Sequence, residues 1–305
     1  MTSNGSNGKI TKSSLTFVIL FPHRTNKNGF RLEFMWPFLS SIFPSTRCVG
    51  RRAETSVIIH PKIIIIRGFM KLFEFSFLLL RPVYPGLYRK VRGLLVNEVC
   101  RYRGDVSVLD IGGRKSHYTI GIGANVTISD LPRKSGMQST LSLGVNQKIT
   151  EHLRNRRSNV RYVAYDDMSR TCFKENSFDI IVCVEGLEHV EEDELFIKNV
   201  FRILKKGGLL LMTTPHGDYV PNRIPDHKRH YSKAQLHALL HKYFDSVETW
   251  GDVRGDRFHR WGLREWSLRH PYWILKSMIG NLLNCYQPIT NKGQEYKTQH
   301  LFARC

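Results

Sequence analysis

A chain of 305 residues with an apolar share normal for a globular protein is long enough for a real core, either as one large domain or as a domain with appendages. Its formal charge of +20 is uneven: residues 1–69 hold 10 Lys and Arg against 2 Asp and Glu, residues 70–103 hold 7 against 2, and the rest carries only +7. This N-terminal excess fits an arm or a surface-seeking segment better than a broad nucleic-acid-binding face, and no apolar run approaches the ~18–20 residues that span a bilayer.

Residues 1–69 open with "MTSNGSNGKITKSS", which reads as disordered, and continue with apolar patches of no sustained period. The pattern sharpens at Met70, where the working protein is expected to begin. Residues 70–103 are predicted helical. From Tyr88 to Cys100, Val91, Leu94, Leu95 and Val99 share one side and Arg89, Lys90 and Arg92 the other, which suits a helix packed on the next domain, with peripheral membrane contact as the alternative.

From residue 104 on, short apolar strands alternate with helices. Strands are predicted at 106–111, 125–130, 160–165, 179–184, 208–214, 246–250 and 299–303, and helices near 145–156, 191–205 and 232–243, the last capped by Ser232. "RILKKGG" reads as a helix end terminated by Gly207, and "EEDE" (191–194) as a helix's first turn. Alternation of this kind predicts a doubly wound α/β sheet, with 251–298, rich in Trp, Arg and His, as an insertion or cap before the last strand. The six cysteines (48, 100, 172, 183, 285 and 305) form no CxxC pair, which favours reduced thiols in a cytoplasmic protein.

In such a sheet, ligands sit beyond the carboxyl ends of the strands, so the residues that follow each strand matter most. They are "DIGGRKSHY", Asp130, Asp166 with Asp167, then Glu185, Glu188 and His189, and "TPHGD". For a nucleoside ligand, Gly112 and Gly113 let the backbone come close. An acid about 20 residues past Asp110 can accept both ribose hydroxyls, and an Asp at the third strand can accept from an adenine amine.

"VLDIGG", "DDMSRTCFKENSFDIIVCVEGLEHV", "FRILKKGGLLLMTTPHG" and "HKRHYSKAQLHALL" stand in an order and spacing that resemble the class I S-adenosylmethionine-dependent methyltransferases, particularly their type 11 branch. The resemblance implies a Rossmann-like seven-stranded sheet, here with a helical or irregular N-terminal extension, and S-adenosylmethionine as cofactor. It puts Asp110 and Gly112 at the methionine pocket, Asp130 at the ribose, Asp167 with Met168 at the adenine, and the loop from Glu185 toward the methyl group. "GGRKS" departs from the family's G-x-G-x-G. Arg114 would crowd a ligand if it pointed inward, while Ser116 and Tyr118 match a Ser-x-Tyr variant of the loop.

If a helix starts right after Val184, then Glu185, Glu188 and His189 share one of its faces. His189 is then the candidate base and Glu188 its orienting neighbour, with His227 and His230 in a lid loop. The alternative resemblance is to metal-dependent RNA 2′-O-methyltransferases, which implies Glu185, Glu188, His189 and His227 around a divalent ion such as Mg or Mn. The expected acceptor is a small molecule, acidic or sugar-like, methylated on oxygen or nitrogen, with nucleic acid the lesser reading. A binding protein on a decayed methyltransferase fold is the non-catalytic alternative.

Overall fold

The computed structural model describes residues 71–132, 145–263, 266, 269–286, 290–291, 294–295 and 297–305. The expectations for residues 1–69 and for a start at Met70 lie outside them.

Two helices come first, α1 (Leu72–Leu80) and α2 (Gly86–Val99). In α2, Leu87, Val91, Leu95 and Val99 recur every four residues and are all buried, so its apolar stripe faces the sheet. Arg92, expected on the polar side, is buried as well. It donates from Nη1 to the carbonyls of Tyr118 (3.1 Å) and Ile120 (2.6 Å), and burial lowers its pKa to about 10. α1 leaves Leu72, Phe75 and Leu79 exposed. Among the described residues no helix is long and apolar enough to cross a membrane.

The following elements are β1 (Ser107–Ile111), β2 (Asn125–Asp130), α3 (Gln147–Arg156), β3 (Val160–Tyr165), β4 (Phe178–Val184), α4 (Asp193–Ile203), β5 (Leu204–Pro215) and α5 (Lys233–His241). After them come β6 (Glu248–Arg254), α6 (Arg257–Gly262), α7 (Pro271–Tyr286), a two-residue pair β7 (Thr290–Asn291) and β8 (Gln294–Glu295), and β9 (Thr298–Arg304). The seven-stranded sheet runs β3-β2-β1-β4-β5-β9-β6. β1 to β5 run parallel to one another, while β9 is antiparallel to both β5 and β6. The order reverses between β1 and β4, which opens a crevice at their carboxyl ends.

β4 shows why the sheet is doubly wound. Ile180 and Val182 pack on one face with Val91, Leu95, Val126 and Phe302, and Ile181 and Cys183 pack on the other with Leu187, Ile197, Val200 and Leu240. A strand covered on both faces needs no polar alternation, so it reads as one continuous apolar run.

α4 stops at Ile203 and β5 begins at Leu204, so "KKGG" is strand and Gly207 does not terminate the helix. Lys205 is drawn to the sheet by the Asp179 carboxylate, 2.9 Å away, and Gly207 bends the strand at φ +71°. A side chain at Gly208 would come within 2.8 Å of the Asp179 carbonyl. The segment 251–298 is more regular than its sequence suggests. β6 extends to Arg254, and α6 and α7 make up half of the remainder.

Candidate active site

A cleft of about 430 Å³ lies over the carboxyl ends of β1 to β4, walled by Gly112, Arg114, Asp130, Asp167, Met168 and Glu185 among others. His189, Asp226 and Phe196 also face it. Its volume falls in the range of small-molecule sites.

Gly112 takes a left-handed turn (φ +69°) and donates its N–H to the Ser129 carbonyl at 2.8 Å. Gly113 must lack a Cβ, because one would lie 2.3–2.6 Å from the Asp110 carboxyl atoms. Asp110 is fully buried and accepts hydrogen bonds from Ser116 Oγ (2.5 Å), Tyr118 Oη (2.8 Å) and Thr119 Oγ1 (2.8 Å). Burial raises its pKa, against those three hydroxyls and the nearby Arg157 guanidinium. Arg157 in turn donates to the Ser116 carbonyl at 2.7 Å. Asp110 thus holds the "GGRKSHY" loop in place from below. Asp110, Gly113, Ser116 and Tyr118 were expected as cofactor contacts, yet none of them is on the cleft wall.

Arg114 points inward: its Nε is 3.8 Å from Asp130 Oδ2, and both side chains are largely buried. Asp130 also accepts from the Leu131 N–H at 2.8 Å. Asp167 caps a short turn through the Ser169 N–H (3.0 Å), and Met168 packs beneath it, 3% exposed.

After Val184 there is no continuous helix. Glu185 is left-handed (φ +51°), Leu187–His189 form a single 3-10 turn, and α4 starts only at Asp193. The single helix face expected for Glu185, Glu188 and His189 is therefore absent, because the left-handed backbone turns the first side chain away from the other two. Glu185 Oε1 accepts from Thr213 Oγ1 at 3.1 Å and lies 3.1 Å from His300 Nδ1. Glu188 is buried; its Oε2 accepts from Thr214 Oγ1 at 3.2 Å, while its Oε1 has no hydrogen-bond partner. Burial, with Glu185 nearby, pushes its pKa well above the usual carboxylate range.

His189 Nδ1 sits 3.0 Å from Asp226 Oδ2, and its ring meets that of His227 edge-on with centroids 4.7 Å apart. His227 Nδ1 lies 2.8 Å from His230 Nε2, and His230 Nδ1 lies 2.8 Å from the Val220 carbonyl. The loop bearing these histidines is pinned by Arg229 and Tyr231, each 2.7 Å from Asp193 Oδ2. Glu188, His189 and His227 bring ligand atoms within 4.8 Å of one another; Glu185, the fourth member of the expected metal set, is not in that group. Burial and the two neighbouring imidazoles lower the His227 pKa.

The sequence reading missed His300 and His259. His300 is the third residue of β9 and His259 lies on α6, with ring centroids 6.0 Å apart. Burial, with His300 beside it, lowers the His259 pKa to about 4. A search confined to residues that follow strands passes over both.

Residues 118–212 match the family model described as "Methyltransferase domain". The chain is 28% identical over 164 residues to a probable S-adenosylmethionine-dependent methyltransferase of Mycolicibacterium smegmatis, covering 52% of this chain and 60% of that one. It is 26% identical over 203 residues to a ubiquinone biosynthesis O-methyltransferase of Albidiferax ferrireducens, covering 62% and 74%. Among solved structures, phosphoethanolamine N-methyltransferase 2 of Haemonchus contortus, in complex with S-adenosyl-L-methionine, aligns over 76% of this chain and 56% of its own (16% identity, TM-score 0.47). An S-adenosylmethionine-dependent methyltransferase of Archaeoglobus fulgidus aligns over 70% and 93% (14% identity, TM-score 0.44).

Proposed function

The chain belongs to the class I S-adenosylmethionine-dependent methyltransferases, in their type 11 branch, and on that footing we propose that it transfers a methyl group from S-adenosylmethionine to a hydroxyl oxygen of a small-molecule acceptor. The observation that carries this reading is the cleft itself. Asp130, Asp167, Met168 and Glu185 line it together, which supports Asp130 as acceptor for the ribose hydroxyls, Asp167 and Met168 beside the adenine, and Glu185 toward the methyl group. Gly112 and the Asp110-anchored loop leave the room a bulky ligand needs, so these residues fit the cofactor. Bound there, S-adenosylmethionine supplies an electrophilic methyl group on a good leaving group.

The protein's own task is then to align an acceptor with that methyl and to relieve it of a proton. Oxygen rather than nitrogen is the acceptor atom by likeness to the ubiquinone biosynthesis O-methyltransferases. The exposed Leu72, Phe75 and Leu79 of α1 support peripheral contact with an apolar surface.

Calorimetric titration of S-adenosylhomocysteine into the full chain tests the reading, with micromolar binding expected. A folded protein that binds none would leave a non-catalytic scaffold.

One observation favours a metal-assisted version. The buried, unpartnered Glu188 Oε1 beside His189 and His227 makes three donors that fit a divalent ion, and two imidazoles suit Mn better than Mg. Such an ion would polarise an acceptor hydroxyl. Titration of Mn into chelator-treated protein decides it: binding lost in Glu188→Ala and His227→Ala supports the site, and no binding by the unsubstituted chain rejects it.

A further inference from the structure

We propose that His300, oriented by Glu185, is the group that takes the proton from the acceptor hydroxyl, and that the acceptor seats over the ends of β5, β9 and β6 rather than beside His189. This rests on the methyltransferase reading and specifies the acceptor half of the same site.

Topology supplies the first argument. Because β9 runs against its neighbours, its opening residues stand at the carboxyl edge of the sheet, with His300 opposite Pro215 of β5 and Asp252 of β6. The cofactor cleft ends at Glu185, and along the sheet edge the next titratable side chains are His216 on β5's exit, His300 and Asp252. His259 lies against His300 from α6, and Tyr88 of α2 is close enough to Glu185 to feel its charge. None of these five residues is on the cleft wall, so the cofactor does not use them.

Glu185 supplies the second argument. A non-glycine residue held left-handed is strained, and such strain persists where the surroundings impose it. Here the Glu185 N–H donates to the Thr213 carbonyl at 3.0 Å and its carboxylate is steered by the Thr213 hydroxyl, which leaves Oε1 3.1 Å from His300 Nδ1. That contact has ion-pair distance without hydrogen-bond alignment, so a small turn of the ring completes it. The His300 side chain is 14% exposed, sheltered yet still reachable. His189 differs on each count. Its Nδ1 is taken by Asp226, its ring by His227, and Glu185 does not bond to it.

The chemistry balances as follows. The acceptor oxygen forms a bond to the methyl carbon as the carbon–sulfur bond breaks, and that bonding pair returns to sulfur, which becomes a neutral thioether. The hydroxyl proton passes to His300 Nε2, and the imidazolium formed is stabilised through Nδ1–H by the Glu185 carboxylate. His259, neutral at physiological pH because burial holds its pKa near 4, adds no opposing charge. A neutral amine attacks with its own lone pair, whereas a hydroxyl, like an alkylammonium, must lose a proton, so the pair fits the hydroxyl acceptor proposed above.

Long-range proton–nitrogen NMR of the histidine rings in the full chain tests this directly, with His300 assigned by its loss in His300→Gln. The expected result is a neutral ring protonated on Nδ1 with Nε2 bare. In Glu185→Gln the Nδ1 resonance of His300 should shift, because the group it faces loses its charge. In the presence of S-adenosylhomocysteine, catechol, used as a model ring hydroxyl, should shift the His300 resonances and not those of His189. A ring protonated on Nε2, an Nδ1 resonance unmoved in Glu185→Gln, or a catechol response confined to His189 would overturn the proposal. Calorimetry of S-adenosylhomocysteine with the unsubstituted chain separates the two failures: no binding there sinks the methyltransferase reading, while the NMR result still judges the His300–Glu185 pair.

Discussion

The two halves of the sheet's carboxyl edge are built from different chemistry. Over β1 to β4 the wall is carboxylate and glycine: Gly112, Asp130, Asp167 and Glu185. Over β5, β9 and β6 the titratable groups are mainly imidazoles, His216, His300 and His259, with Asp252 among them and helices α6 and α7 as their surroundings. Carboxylates that accept from sugar and base amines suit a ligand that must be held, whereas imidazoles suit one that must exchange a proton. Glu185 stands at the join and serves both.

The largest expected effect separates the two halves by function. With catechol as probe, His300→Gln should lower kcat by about 10²–10³-fold, the usual weight of a general base, while leaving the affinity for S-adenosylhomocysteine unchanged. Rates are read by transfer of a labelled methyl group and affinity by calorimetry. An equal loss in both would mean that the division is false.

Asp130→Ala should give the reverse pattern. On the proposed cofactor pose Asp130 accepts two charge-assisted hydrogen bonds from the ribose diol, so about a 10–100-fold loss in cofactor affinity is expected, with the His300 resonances unmoved. Calorimetry and histidine NMR on the same variant check both parts.

The difference also explains what the sequence revealed. β2 and β3 run over the residues expected, 125–130 and 160–165, because apolar residues bounded by turns leave little choice of register. The cleft-lining Asp130, Asp167, Met168 and Glu185 were found because each follows a parallel strand. His300 was not, because it lies inside an antiparallel strand, and a strand's direction is set by pairing with residues far away in the chain. Arg92 was placed on the wrong side of α2 because only the tertiary structure brings the Tyr118 and Ile120 carbonyls to it. The condition of a helix starting right after Val184 is not met, because Glu185 is left-handed and a left-handed glutamate carries no sequence mark.

Acid should weaken both halves together. His117, held to about 4 by burial and by Arg157, packs against Tyr84 and Tyr88, and His259 is likewise held to about 4. Each binds its proton more readily in the unfolded chain, where the pKa is near 6.5, so stability is full above that value and declines as pH falls toward 4. Between pH 7.5 and 6 the two together should lower the melting temperature by about 3–6 °C, and His117→Gln should remove about half of the drop. A pH-independent melting temperature over that range would contradict the burial of both rings.

The smallest effect tests Arg114, the residue that departs from the family's glycine-rich loop. Its guanidinium lies in the cleft against Asp130, and the pair is sheltered enough to resist screening. S-adenosylmethionine and S-adenosylhomocysteine differ by one methyl group and one positive charge, so the ratio of their affinities isolates the cleft's response to that charge. Arg114 disfavours the sulfonium and has far less effect on the neutral thioether. Arg114→Ala should therefore tighten binding of S-adenosylmethionine relative to S-adenosylhomocysteine by about 2–5-fold, the size expected for one charge across a partly solvated cleft. Because product leaves by the same route, the arginine would help to set the release of S-adenosylhomocysteine as well as the entry of the donor. An unchanged ratio would mean that Asp130 already neutralises Arg114, and that the departure from glycine costs the enzyme nothing.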